Sequence, residues 1–256
     1  LIEVRPIVQA EADRFLVLLC DVFGLDYGRA HSVFFTEPMY ELNRKWALFE
    51  NGEMLSILTT TPLIFGWGRA FGIAGVATRP DRQHQGLAGR LLEAVMEHGK
   101  RNGEGAALLF AKSKSLYERM GFVELDRVIR AALVTVPPEP DQTYEPNEIK
   151  DCYAAWACQD PNRLRRDDQR WRYWNWHFRI CSPFQDGYIC FEPGLLREAI
   201  FSQPVQAMPI PHDAEWLGLT NMADALRIPI RDPRPELFLM GRNFSSPPQM
   251  FMTDQF

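Results

Sequence analysis

Hydrophobic positions in the first half of the chain alternate between two periods. Phe15, Leu18, Leu19, Val22 and Phe23 recur at helical spacing, and Gly24 follows as a stop. Residues 46–50 and 53–58 read as strands. The Asn51-Gly52 pair between them suits a two-residue hairpin turn, whose central positions both take positive φ. Residues 59–65 continue β-rich, and 71–78 form a strand of small residues. A helix follows, with Ala88, Leu91, Leu92, Val95 and Met96 on one apolar stripe and Arg90, Glu93 and Glu97 facing away. Gly103 and Gly105 break it. Residues 106–111 make a short buried strand, 115–120 a short helix ending at Gly121, and 122–136 a further β-rich run. Beyond that the periods predict helices at 148–158 and 166–180 and strands at 188–191, 198–203 and 236–243.

Composition marks a boundary. Thirteen of the 17 glycines precede residue 135 and 15 of the 19 prolines follow it. Pro137-Pro138-Glu139-Pro140 reads as a stiff connector, so the expected units are 1–136 and 137–256. With 46% hydrophobic and 24% charged residues the chain has the balance of a soluble globular protein. A net charge of −5 disfavours nucleic acid as a partner. The apolar runs are too short to span a membrane, and no signal peptide is visible. The five cysteines are odd in number and lack C-x-x-C spacing, which predicts reduced thiols in a cytoplasmic protein. The histidines are scattered, so no metal site is expected.

The candidate chemistry lies at residues 75–88, where a strand passes through a short loop into a helix. Free N–H groups of a first helical turn favour anions. Gly86 lets the backbone approach a phosphate closely, while Arg82 and Gln83 add donors and Arg79 or Arg90 charge. The pattern Gln83-x-x-Gly86-x-Ala88 therefore suits a pyrophosphate. No Gly-x-Gly-x-x-Gly fingerprint, nucleophile elbow or Walker loop is present.

These residues resemble the Gcn5-related N-acetyltransferases (GNAT), whose fingerprint is Arg/Gln-x-x-Gly-x-Gly/Ala opening a helix after a strand. Leu116-Tyr-Glu-Arg-Met-Gly-Phe122 resembles a second family segment, whose tyrosine lies close to the coenzyme's sulfur. The resemblance implies acetyl-coenzyme A (acetyl-CoA) as co-substrate, without a metal. Its site would comprise Val76, Ala77, Thr78, Arg82, Gln83, His84, Gln85, Gly86, Leu87, Ala88 and Tyr117, with Tyr117 as general acid. It implies an α/β fold with a mostly antiparallel mixed sheet splayed at the coenzyme, then a smaller degenerate copy of that fold.

The whole chain is similar to the enhanced-intracellular-survival type of aminoglycoside acetyltransferase, without its sterol-carrier-like domain. Leu164-Arg-Arg-Asp-Asp-Gln-Arg-Trp171 carries that likeness. In that subgroup a terminal carboxylate serves as base, which maps onto Phe256. The implied activity is acetyl transfer to a primary amine of a small molecule. Protein-lysine acetylation and non-catalytic acyl-CoA binding are the rivals, and a homo-oligomer stays open. Asp21, Asp26 and Glu37 fall where the family shapes its acceptor site. Trp171, Trp174 and Phe178 share a helical face, which predicts core packing, with an aromatic wall for an amine as the rival for the Trp171–Phe178 cluster that also holds Tyr173, Trp176 and His177.

Overall fold

A computed structural model describes residues 1–137, 146–177 and 179–256. Apart from Pro137, the proline connector lies outside the described residues, as does Phe178. The first half runs β1 (Ile2–Pro6), α1 (Ala12–Phe23), α2 (Tyr27–Phe34), β2 (Lys45–Glu50), β3 (Glu53–Phe65) and β4 (Gly68–Thr78). It continues through α3 (Leu87–Arg101), β5 (Ala106–Ala111), α4 (Ser115–Arg119), β6 (Val123–Leu133) and β7 (Thr135–Val136). Then come α5 (Pro146–Cys158), α6 (Asp168–Trp176), β8 (Ile180–Phe184), β9 (Gly187–Glu192) and β10 (Leu195–Ile200). β11 (Met208–Pro209), β12 (Glu215–Leu219), α7 (Thr220–Leu226) and β13 (Ile230–Arg242) complete the series.

Eleven strands form one sheet in the order β1-β2-β3-β4-β5-β13-β6-β12-β10-β9-β8. All its pairings are antiparallel except β4 with β5 and β10 with β12. β13, late in the chain, inserts between β5 and β6, so the sheet runs unbroken past residue 136. β13 begins at Ile230, six residues before the predicted strand. Pro233 and Pro235 fall where its register against β6 shifts, because proline cannot donate to a ladder.

Alternation along β2 divides the first half's core in two. Trp46 and Leu48 face α3, together with Phe71, Ile73, Leu91, Leu92 and Val95. Ala47 and Phe49 face α1, where they meet Phe15, Leu16 and Ile57. Gly99 lets α3 lie directly on the sheet: a Cβ there would sit 2.5 Å from the Phe71 ring and 2.7 Å from the Glu104 carbonyl oxygen. A third cluster joins Trp156, Trp171, Trp174, Tyr188 and Trp216 to the other face of β5 through Leu108. Trp171 and Trp174 are thus core residues.

The predicted helix at 166–180 is shorter. Asp167 caps α6 by accepting from the Arg170 N–H, which leaves Arg166 outside the helix, and Ile180 already belongs to β8. The strand predicted at 198–203 is β10, shifted three residues earlier. The reading of five reduced cysteines is corrected: Cys181 and Cys190 stand opposite in the β8–β9 hairpin and are disulfide-bonded. Cys20, Cys152 and Cys158 are free. No helix among the described residues is long and apolar enough to cross a membrane.

Candidate active site

β4 pairs with β5 only from Ala70↔Ala106 to Ile73↔Leu109. Beyond that point β5 keeps its partner β13 through Ala111, while β4 continues to Thr78 without β5 beside it. A wedge opens between the two parallel strands. On its other side β4 carries a bulge, since Gly75 and Val76 together face the one residue Leu58 of β3. Gly75 has φ 59°, a left-handed conformation that favours glycine, and the bulge re-aims the strand end.

A cleft of about 1140 Å³ occupies the wedge. One wall is Val76 and Thr78 of β4, and the head is the loop Arg82-Gln83-His84 with Gly86 and the first turn of α3. The far wall is Leu116, Arg119 and Met120, around α4. Gly86 is the N-cap of α3 at φ 75°, and a Cβ there would meet nothing within 4 Å. The helix therefore presents its unpaired first-turn N–H groups to open space, where an anion is favoured. Gly89 lets Met120 approach, its missing Cβ lying 3.2 Å from the sulfur.

The loop's side chains divide between support and cleft. Gln83 donates through Nε2 to the Thr78 carbonyl at 3.2 Å, closing the loop onto its own strand. Arg82 donates to Glu50 at 2.6 Å and to the Gln85 side chain, which holds Gln85 beside the loop. Arg79 is tied to Asp81 and Glu53, so of the two expected sources of charge it is Arg90 that lines the cleft. Leu87 and Ala88 line it too. Ala77 points the other way, into the core beneath α1. Tyr117, unlike its neighbours Leu116, Arg119 and Met120, is not among the residues that line the cleft: it packs its ring against Phe122, 6.1 Å between centroids, and burial raises its pKa.

A second cavity, of about 170 Å³, borders the same stretch of β4 at Ala74 and Gly75. Its other walls come from far apart in sequence: Leu19, Glu37, Lys45, Thr59, Tyr173 and Phe256 among them. Burial holds the Glu37 carboxyl above the usual carboxylate range, with the charge of Lys45 opposing. Burial pushes the Lys45 ammonium down, opposed by Glu37 and Glu41. Phe256 packs its ring on Gly72 and Phe110, the latter at 5.3 Å, and a Cβ at Gly72 would fall 2.4 Å from that ring. Of the three acidic candidates only Glu37 reaches this cavity. Asp26 is spent as the N-cap of α2, and Asp21 is exposed on α1. Tyr173 was named only within the aromatic cluster, and Lys45 had no local signal that would single it out.

The segment ending in Phe256 is held by a buried ion cluster. Arg166 donates to both oxygens of Glu198, at 3.0 and 2.7 Å, and to Asp254 at 2.7 Å. Glu198 also accepts from Trp174 Nε1 at 2.8 Å, from the Tyr188 hydroxyl and from Thr253. Arg170 donates to the carbonyls of Asp254 and Pro62, and Tyr173 to that of Gln255. The segment is thereby anchored both to α6 and to β3.

Residues 3–124 match the sequence profile described as an acetyltransferase (GNAT) domain. That span holds the splayed strand, the loop and α4. Residues 3–124 form a GNAT acetyltransferase domain. No curated protein sequence matches the chain. Solved structures resemble it over nearly its whole length. A GCN5-related N-acetyltransferase from Kribbella flavida aligns with a TM-score of 0.72 at 14% identity, covering 94% of this chain and 71% of the other. One from Anabaena variabilis gives 0.67 at 15%, covering 94% and 72%. Eis1 from Mycobacterium abscessus gives 0.61 at 15%, covering 93% and 73%. At these identities the likeness is one of fold, and it extends through the second half.

Proposed function

We propose that this GNAT protein transfers an acetyl group from acetyl-CoA to the primary amine of a small molecule. The observation that carries the reading is the cleft itself, which leads from the open N-terminus of α3 along the splayed end of β4. The fit to the coenzyme is good: the cleft is anion-favouring at Gly86, Arg90 and Arg119 add positive charge, and Val76 and Leu116 offer apolar wall. When bound there, the coenzyme supplies an acyl thioester.

The first turn of α3, with Gly86, Leu87 and Ala88, would hold the diphosphate. Val76 and Thr78 would bind the pantetheine arm as one more strand edge. The Val76 backbone N–H is the proposed donor for charge developing on the carbonyl oxygen. Tyr117, kept as a neutral phenol by burial, is the proposed proton donor to the departing thiolate. Glu37 is the proposed base, because its raised pKa brings a carboxylate closer to the working range of a proton acceptor. A carboxylate at Phe256, in a chain that terminates there, is the second candidate at the same cavity. The cavity at Ala74 and Gly75 is the proposed acceptor site, and its small volume favours a small amine over a lysine in a folded protein.

The test is thiol release from acetyl-CoA against a panel of aminoglycosides, polyamines, amino acids and lysine peptides. Calorimetry of Gly86→Glu accompanies it. A side chain at φ 75° is strained, and this one would put bulk and negative charge into the cleft, so coenzyme binding should fall at least 100-fold. Full coenzyme affinity in that variant would remove the loop from the binding site.

A further inference from the structure

The small cavity beside Gly75 contains a charged group, Lys45, that forms no ion pair among the described residues. Lys45 is 3% exposed and lines the cavity. Its ammonium lies over the rings of Phe34 and Tyr40, at 4.9 and 5.3 Å from their centroids. Two ring faces attract a cation but do not take up its three N–H donors. Among the described residues no hydrogen bond or ion pair to that ammonium is formed. The other cation of the cavity, Arg170, is satisfied by the Asp254 and Pro62 carbonyls and lies 3.9 Å from the Asp254 carboxylate. Glu41, which also acts on Lys45 electrostatically, is engaged by Gln169.

Glu37 faces the same space with the opposite sign. It influences Lys45 through charge but forms no ion pair with it. Among the described residues the cavity's side chains thus leave one carboxylate and one ammonium without an ion-pair partner, both lining the space a ligand would occupy. Burying a lone charge is expensive unless something pairs with it, and here the fold leaves the pairing to the occupant. At about 170 Å³ the space is far smaller than the cleft of about 1140 Å³ beside it. That is too small for an oligosaccharide and suits a molecule of amino-acid size.

We propose that the acceptor is a small zwitterion of the α-amino-acid class, its carboxylate held by Lys45 and its amine directed by Glu37 toward the strand end at Gly75. The inference rests on the acetyl-transfer reading above and names the acceptor class for it. A polyamine would place a second cation near Lys45, and like charges in a buried site repel. Lys45 is then a specificity residue: it touches the acceptor's acidic group and not the atoms that react.

The experiment compares each amino acid with the amine that lacks only its carboxylate: L-serine with ethanolamine, L-alanine with ethylamine, L-methionine with 3-(methylthio)propylamine. Binding to the full chain is read by calorimetry with and without CoA, and thiol release is read in parallel. The expected result is at least tenfold tighter binding of the amino acid in at least one pair. Lys45→Met should abolish that preference while CoA affinity stays within twofold. Equal or tighter binding of the amines in every pair, or no binding of either series, overturns the proposal. So does a preference that survives in Lys45→Met. The wild-type comparison stands even where the variant fails to fold. Amino-acid binding without thiol release would refute acetyl transfer while upholding the ligand class. Turnover of polyamines or aminoglycosides with no amino-acid binding would do the reverse.

Discussion

Glu198→Gln gives the sharpest test of how the second half holds the acceptor cavity together. The Glu198 carboxylate is fully buried and takes two bonds from Arg166 and one each from Trp174, Tyr188 and Thr253. An amide oxygen has two lone pairs, and the amide nitrogen would turn its own hydrogens on these donors. Arg166, also fully buried, would keep the Thr253 hydroxyl but only one carboxylate, Asp254, among the described residues. Removing one partner from a buried ion pair costs about 3–5 kcal/mol. For a chain of this size that corresponds to a fall in Tm of about 6–20 °C. Thermal unfolding followed by circular dichroism at pH 7 should show it.

The pH dependence sharpens this test. The positive charge of Arg166 and the bonds it donates outweigh burial, so the Glu198 pKa is lowered to about 2 from the ordinary 4.5. A carboxylate lowered in the folded state contributes stability that is fully present above the unfolded value and is lost as pH falls through the folded one. The gap between wild type and Glu198→Gln should therefore be widest above pH 4.5 and close progressively toward pH 2. A Tm change under about 2 °C at pH 7, or a gap that does not shrink on acidification, would refute this account of the cluster.

Glu37→Gln should remove the limb of the pH–rate profile over which activity rises as the carboxyl loses its proton, a limb displaced upward in the wild type by burial. An unchanged limb would assign it to another group. Tyr117→Phe should lower kcat about 100-fold with the KM for acetyl-CoA within twofold, and unaltered turnover would take the phenol out of the mechanism. Gly99→Ala should destabilise by about 1–3 kcal/mol in urea titrations, because its Cβ would meet a backbone carbonyl that cannot step aside.

What could be read along the chain is what neighbouring residues settle among themselves. The stripe of Leu91, Leu92, Val95 and Met96 specifies α3, Gly24 ends α1 in the left-handed conformation, and Asn51-Gly52 turns β2 into β3. The strand–loop–helix unit around Gly86 was legible for the same reason: a helix N-terminus makes an anion site from consecutive backbone groups. Its motif sufficed to place Val76, Thr78 and the loop on one cleft. It could not show that Arg79 and Arg82 are taken up by Glu53 of β3 and Glu50 of β2, since those partners lie on other strands.

The assembly of the second cavity belongs to the tertiary structure. Glu37 and Phe256 were named only through the family resemblance and Tyr173 only within an aromatic cluster, and together with Lys45 and Thr59 they share no periodicity. They converge because β4 bulges at Gly75, because Arg170 of α6 bonds to the Pro62 carbonyl of β3, and because a buried arginine anchors the last residues. The insertion of β13 between β5 and β6 has the same origin. Propensity and periodicity act over a few turns or one hairpin, whereas these juxtapositions depend on which strand edges and apolar faces are left free to pair once the local elements exist.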